Sequence, residues 1–257
     1  MAKIKVTFLG TGTSQGIPVI ACECEVCTSK NPKDNRTRTS ILFSINDKNI
    51  VVDTGPDFRQ QMLRENVKNL EAVLFTHEHK DHISGMDDIR AYNYVSKLPM
   101  QIYATTEVQE ALKREFSYVF SGNYYPGIPQ VKLNTFDKES LNFFGEEIIP
   151  IDVMHYKLQV KAFRLRNFSY ITDANFIDEV GFKKLEGTEI LVINALRIEP
   201  HISHFNLEEA LEIIERIQPK KAYLIHISHL LGLHEEVSKI VPSNVEIAYD
   251  GLQINIA

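Results

Sequence analysis

The stretch Ala72-Val-Leu-Phe-Thr-His77-Glu-His79-Lys-Asp81-His82 sets four apolar residues just ahead of three imidazoles and two carboxylates. Residues 72–75 read as a buried strand. Side chains alternate along an extended chain, so His77 and His79 fall on one side where the strand ends. The turn that follows swings Asp81 and His82 round to a second point in space. With nine histidines in 257 residues, chance produces H-x-H-x-D-H roughly once in two thousand such chains. An exposed polar turn at the head of a helix leaves that clustering unexplained. Imidazole nitrogens and carboxylate oxygens are the donors that divalent zinc, manganese or iron prefer, and two metals a few ångströms apart are expected here.

Each metal needs ligands from elsewhere. Three distant positions offer them, each at or just past the end of an apolar run: His155 after 149–154, Asp173 after 168–172, and His226 after 222–225. Taken singly, such residues are more often structural. Twelve short apolar or β-branched runs recur along the chain, at 3–9, 39–45, 49–53, 72–75, 101–103, 147–153, 160–165, 168–172, 190–193, 222–225, 245–248 and 252–256. Helical patterns are fewer, at 57–65, 106–116, 207–217 and around 234–240. The clearest is 207–217, where Leu207, Ala210, Leu211, Ile214 and Ile217 share a face, Asn206 and Glu209 have capping-box spacing, and Pro219 lies just beyond. Early strands come as hairpin-like pairs and later ones alternate with helices. The expected fold is therefore α/β, a four-layer αββα sandwich of two mixed sheets with helices outside. Residues 118–129, from Tyr118 to Pro129 and including Tyr124 and Tyr125, read as an irregular loop. Nothing marks a boundary, so residues 1–257 are expected to form one domain.

Composition narrows the function classes. At 44% hydrophobic and 24% charged the chain has globular make-up. Its apolar runs are strand-sized, far short of the roughly 20 residues of a membrane-spanning helix. The net charge is −6 and the basic residues are scattered, so no footprint for stable nucleic-acid binding is present. The N-terminus reads directly as a strand, without a secretory signal, and a cytoplasmic location is expected. The three cysteines, Cys22, Cys24 and Cys27, span six positions. An odd, tightly spaced set suits metal ligation better than a disulfide framework.

The H-x-H-x-D-H motif, completed by a later His, a later Asp and a last His, resembles the metallo-β-lactamase superfamily across nearly the whole chain. The resemblance implies one metal on His77, His79 and His155, another on Asp81, His82 and His226, and Asp173 bridging both. Asp53 matches an early aspartate that steadies the histidine loop. Gly10-Thr-Gly-Thr-Ser-Gln-Gly16, Cys22-x-Cys24-x-x-Cys27 and Ile225-His226-Ile-Ser-His229 narrow the likeness. They resemble the phosphodiesterase branch typified by the phosphoribosyl cyclic phosphate phosphodiesterases of phosphonate breakdown. That likeness implies a structural zinc on Cys22, Cys24, Cys27 and His229, a closed set suited to a structural rather than a reactive ion. It also implies that His204 contacts the scissile phosphate, as the equivalent residue does in ribonuclease Z.

Together these features lead us to expect a dinuclear, manganese- or zinc-dependent phosphodiesterase. Hydroxide held between the metals attacks phosphorus, Asp173 fixes the metal pair and His204 assists the leaving group. The acidic chain, and the lack of an insertion resembling the tRNA-gripping arm of ribonuclease Z, favour a small nucleotide-like or cyclic substrate. Stable nucleic-acid and membrane partners are not expected, and the only protein partner entertained is a second copy in a homodimer. The rivals are an RNA 3′-processing nuclease, an acyl or lactam hydrolase, and a non-catalytic accessory of quinone-cofactor biosynthesis. Gly10, Gly12 and Gly16 read as a tight turn near the metals rather than a P-loop, Arg90 as a structural ion-pair partner, and His201 and His234 carry no assignment.

Overall fold

A computed structural model describes residues 2–122, 125–136 and 139–256. Its strands are β1 (Ile4–Gly10), β2 (Ser40–Ile45), β3 (Lys48–Val52), β4 (Ala72–Leu74), β5 (Met100–Ala104), β6 (Val131–Thr135), β7 (Leu141–Phe143), β8 (Glu146–His155), β9 (Leu158–Leu165), β10 (Phe168–Ile171), β11 (Ile190–Asn194), β12 (Lys221–Ile225), β13 (Val245–Ile247) and β14 (Gln253–Ile256). The α-helices are α1 (Phe58–Arg64), α2 (Lys80–Ile83), α3 (Arg90–Ser96), α4 (Thr106–Glu115), α5 (Ser117–Phe120), α6 (Glu179–Leu185), α7 (Leu207–Ile217) and α8 (His234–Ile240).

One seven-stranded sheet runs β14-β1-β2-β3-β4-β5-β6 and the other β13-β12-β11-β10-β9-β8-β7. In the first, β14, β1, β2 and β3 pair antiparallel and β3 to β6 parallel. The second repeats this plan, with β7 to β10 antiparallel and β10 to β13 parallel. The sequence shows no matching repeat, so the kinship of the halves is topological.

Alternation along the strands divides the core into three. Between the sheets, Phe8, Phe43, Phe163, Phe168, Tyr170 and Ile225 interdigitate, with Phe43 edge-on to Phe168 at 5.7 Å. Outside the first sheet, Phe58, Met62, Tyr92, Val108 and Leu112 of α1, α3 and α4 cover Val51, Val73 and Ile102. Outside the second, Leu185, Leu207, Ile214 and Val237 of α6, α7 and α8 cover Leu191, Ile193 and Leu224. This is the four-layer αββα sandwich expected from the sequence. Each fully buried large apolar side chain contributes about 2 kcal/mol. Among the described residues no helix is long and apolar enough to cross a membrane.

The sequence reading misses some elements. β6 has no fully buried residue and β7 is three residues long, so neither shows an apolar run; both are edge strands, which natural sheets keep short or polar. Helices α2, α3, α5 and α6 are also missed; at four to seven residues they give only a weak helical period, although α1 and α8, also seven residues long, are read. Tyr118 begins no irregular loop, because it lies inside α5; Pro126 and Pro129 follow only after that turn. Tyr124 lies outside the described residues.

Candidate metal centre

The candidate ligands leave the sheets at the carboxyl ends of strands, where open α/β sheets place their ligands. Asp53 follows β3, Asp173 follows β10 and His226 follows β12. All three adopt left-handed backbone, at φ of 64°, 56° and 53°. Such conformations cost a non-glycine residue about 1 kcal/mol or more and concentrate at functional sites. His77 and His79 leave β4, and α2 carries Asp81 and His82. Close backbone approach seats α2: a Cβ on Gly55 would stand 2.2 Å from the Asp81 carbonyl oxygen, and one on Gly85 would stand 2.2 Å from that of Gly55. His155 ends β8, and His204 precedes α7.

Asp53, fully buried, organises the histidine loop. Its carboxylate accepts the Thr76 N–H and the Thr76 hydroxyl, both at 2.8 Å, and the Nδ1–H of His82 at 2.7 Å. Thr76 Oγ1 in turn lies 2.9 Å from His77 Nδ1. The His155 Nδ1–H donates to the Ser203 carbonyl at 2.7 Å, and His226 Nε2 lies 3.2 Å from Thr13 Oγ1. With one ring nitrogen anchored, the other is directed inward. His77 Nε2, His82 Nε2 and His226 Nδ1 are buried without a hydrogen-bond partner. Buried imidazole nitrogens rarely go unpaired, and a bound cation would give all three a partner.

They converge around Asp173. Its Oδ2 lies 3.3 Å from His82 Nε2 and 3.2 Å from His226 Nδ1, and Asp81 Oδ2 lies 3.2 Å from His82 Nε2. Those spacings match the edges, about 3.3 Å, of a tetrahedron of N and O ligands around zinc. On the other side His204 Nε2 lies 3.3 Å from Asp173 Oδ1. The rings of His77 and His79 are 4.5 Å apart, those of His79 and His155 5.1 Å, and those of His77 and His155 5.8 Å. The seven residues expected to hold two metals therefore meet in one place.

The field there is negative at the carboxylates. Burial opposes charge on Asp173, but His226 and His82 overcome it and hold the carboxyl well below its ordinary range. Burial also disfavours a charged His82, yet Asp173, Asp81 and Asp53 push its pKa well above the usual histidine value. Burial lowers His77 and His155, and His226 to about 3. The latter three are neutral at pH 7, the form that binds metal.

A second cluster lies alongside. Sγ of Cys22, Cys24 and Cys27 stand 3.3, 3.3 and 3.5 Å from His229 Nδ1; a tetrahedral zinc sets S-to-N edges of about 3.5 Å. The Cys27 backbone N–H and the His229 ring lower the Cys24 thiol to about 6. The N-terminal loop reaches this place because Thr13 N–H donates to the Ile227 carbonyl and Ile227 N–H to the Thr11 carbonyl, both at 3.0 Å. The glycine-rich turn thus lies against His226, as expected, and seats Thr13 on that ring.

Several participants were not legible beforehand. Thr13, Thr76 and Asn194 position the ligands; the Asn194 amide grips both backbone groups of Ala174, beside Asp173, at 2.8 and 2.9 Å. Asn194 had one faint signal, a polar residue ending an apolar run. His201, to which the sequence gives no role, stands 3.2 Å from His204. Arg90 pairs with Asp87 at 3.2 Å, and the Tyr118 hydroxyl donates to the same carboxylate, so both side chains are held by Asp87.

The chain matches the β-lactamase superfamily domain over residues 48–227. It is 37% identical over 255 residues to an octanoyltransferase of Porphyromonas gingivalis, covering 97% of this chain and 51% of that protein. The chain thus spans about half the length of that relative. Among solved structures, a diphosphatase from the PhnP family is similar at 35% identity and a TM-score of 0.92, covering 99% of this chain and 98% of that one. Zinc-bound PqqB from Methylobacterium extorquens is similar at 16% identity and a TM-score of 0.80, covering 98% of this chain and all of that one, a likeness of fold.

Proposed function

Because this chain belongs to the metallo-β-lactamase superfamily, in its PhnP-like branch, and is a metal-dependent hydrolase, we propose that it is a dinuclear phosphodiesterase acting on a small nucleotide-like or cyclic phosphodiester. In this reading His77, His79 and His155 would hold one divalent ion, Asp81, His82 and His226 the other, and Asp173 would serve both. The observation that carries it is Asp173, whose two oxygens face His82 and His226 on one side and His204 on the other at 3.2 to 3.3 Å. When bound, the metal pair supplies Lewis-acid stabilisation and lowers the pKa of water. Asp53 and Thr76 keep the histidine loop in register, Asp173 orients the donors, and His204 gives the proton of Nε2 to the departing oxygen. Cys22, Cys24, Cys27 and His229 would hold a structural zinc, with no open position, that ties the N-terminal loop to the centre.

The likeness to a diphosphatase supports cleavage at phosphorus rather than at a carbonyl. The acyl-transfer name belongs to a protein about twice as long, whose unmatched half can account for it. The net charge of −6 supports a small substrate over a polyanion. The test compares manganese- and zinc-loaded protein on bis(p-nitrophenyl) phosphate, a cyclic nucleotide, a diphosphate diester and an acyl thioester. Turnover of the phosphodiesters, reduced about 100-fold or more for an unactivated ester in His204→Ala, is expected. Thioester cleavage alone would overturn the reading in favour of an acyl hydrolase.

A further inference from the structure

Among the described residues no backbone group holds the His204 ring, whose polar neighbours are the side chains of His201, Ser203 and Asp173. Its ring is packed 4.4 Å from that of His155 and stacked 4.9 Å from that of His226. Packing alone does not decide which nitrogen faces Asp173, since a flip of the ring keeps its shape. The decision falls to the turn His201-Ile-Ser-His204. The Ser203 backbone N–H points at His201 Nδ1 from 3.4 Å, which marks that nitrogen as an acceptor. The 3.2 Å contact between His201 Nδ1 and His204 Nδ1 is then donated by the His204 Nδ1–H. The Ser203 hydroxyl, 3.1 Å from His204 Nδ1 and 3.3 Å from His201 Nδ1, braces the pair. The Ser203 carbonyl receives the His155 Nδ1–H, so the same turn is fastened to the site from a third direction.

We propose that His201 is a positioning residue that accepts the Nδ1 proton of His204 and thereby commits His204 Nε2 to the reacting centre. The proposal rests on the phosphodiesterase reading for its kinetic consequence and on geometry alone for the pairing. The protons balance. The Nε2–H passes its proton to the leaving oxygen while the Nδ1–H stays on its acceptor, so the ring left behind is the tautomer His201 already binds. Loss of His201 leaves His204 Nδ1 facing only the Ser203 hydroxyl, 3.1 Å away, which donates as readily as it accepts, so the tautomer is no longer fixed and the acid step suffers most when the leaving group is a poor one.

The experiment compares His201→Leu and His201→Asn with the native protein; an Asn carbonyl oxygen can stand in for the accepting nitrogen. Expected for His201→Leu is a fall in kcat of about 30-fold on an alkyl phosphodiester and about 3-fold on bis(p-nitrophenyl) phosphate, with KM little changed. His201→Asn should recover most of the difference. The His201→Leu/His204→Ala double variant should be no slower than His204→Ala, because residues acting as a unit are not additive. Equal losses on both esters, or additive losses in the double variant, would overturn the assignment. Nitrogen-15 spectra of the zinc-loaded protein give an answer independent of turnover. His204 should carry a proton on Nδ1 in the native protein and in His201→Asn, with that signature lost in His201→Leu. An unprotonated Nδ1 in the native protein would refute the pairing even where no phosphodiester is cleaved.

Discussion

Asp53 touches no candidate metal position directly, yet three donors from two residues end on its buried carboxylate. Asp53→Ala strands all three, and the expected cost is about 3 kcal/mol or more in stability. Metal affinity should fall 10- to 100-fold, because partners that orient ligating histidines carry effects of that order. Thermal unfolding and calorimetric metal titration check the two effects separately. A second residue-level prediction concerns His234, buried beside Arg36, whose guanidinium lies 3.3 Å from His234 Nδ1. Burial first, then Arg36 and Lys33, lower this histidine to about 4. Above about pH 6.5 it is neutral folded or unfolded, and its contribution is complete. As pH falls, the unfolded chain takes up the proton first, so this contribution is lost on the way down to about 4. Denaturant unfolding at several pH values should show a shallower loss over that window in His234→Asn than in the native protein. The role of Asp53 was legible only through the family resemblance and that of His234 not at all, because each rests on partners 23 or more residues away.

At the scale of elements, α7 shows how far local signals reach. Asn206 Oδ1 accepts the Glu209 N–H at 2.8 Å, and Glu209 Oε2 accepts the Asn206 N–H at 2.9 Å, the capping box its spacing predicts. The helix ends at Gln218 in left-handed conformation ahead of Pro219. Asn206→Ala should lower stability by about 1 kcal/mol, read by chemical denaturation. The short α2 depends on contact instead. In Gly55→Ala a methyl group would meet the Asp81 carbonyl, displacing the element that carries Asp81 and His82. We expect at least about a tenfold loss of affinity for one of the two active-site ions, seen as a split in a titration that is otherwise uniform. Edge strands β6 and β7 and helices α2, α3, α5 and α6 escaped sequence reading because propensity needs several residues of consistent period to emerge.

At the scale of the whole molecule, the two sheets bring their parallel-strand ends to one edge, and the N-terminal loop closes over it through the Cys22, Cys24, Cys27 and His229 cluster. Elemental analysis of protein loaded under saturating conditions should find three divalent ions per chain. Cys24→Ser should bind one fewer and melt at lower temperature, since a structural metal contributes folding free energy. A content of one ion in the native chain would instead favour a non-catalytic accessory role. The sequence by itself determined what is local: the strand-ending H-x-H-x-D-H cluster, the cysteine triplet, the capped helix and the alternation that demands buried sheets. It also nominated His155, Asp173 and His226, because strand ends are visible as the places where apolar runs stop. Only the tertiary structure decided that Thr13 sits on His226 across 213 residues of chain, that Asn194 clamps Ala174, and that His201 meets His204. Such contacts are fixed by strand order and by the packing of one sheet on the other, and no periodicity along the chain encodes which distant side chains that packing brings within hydrogen-bond reach.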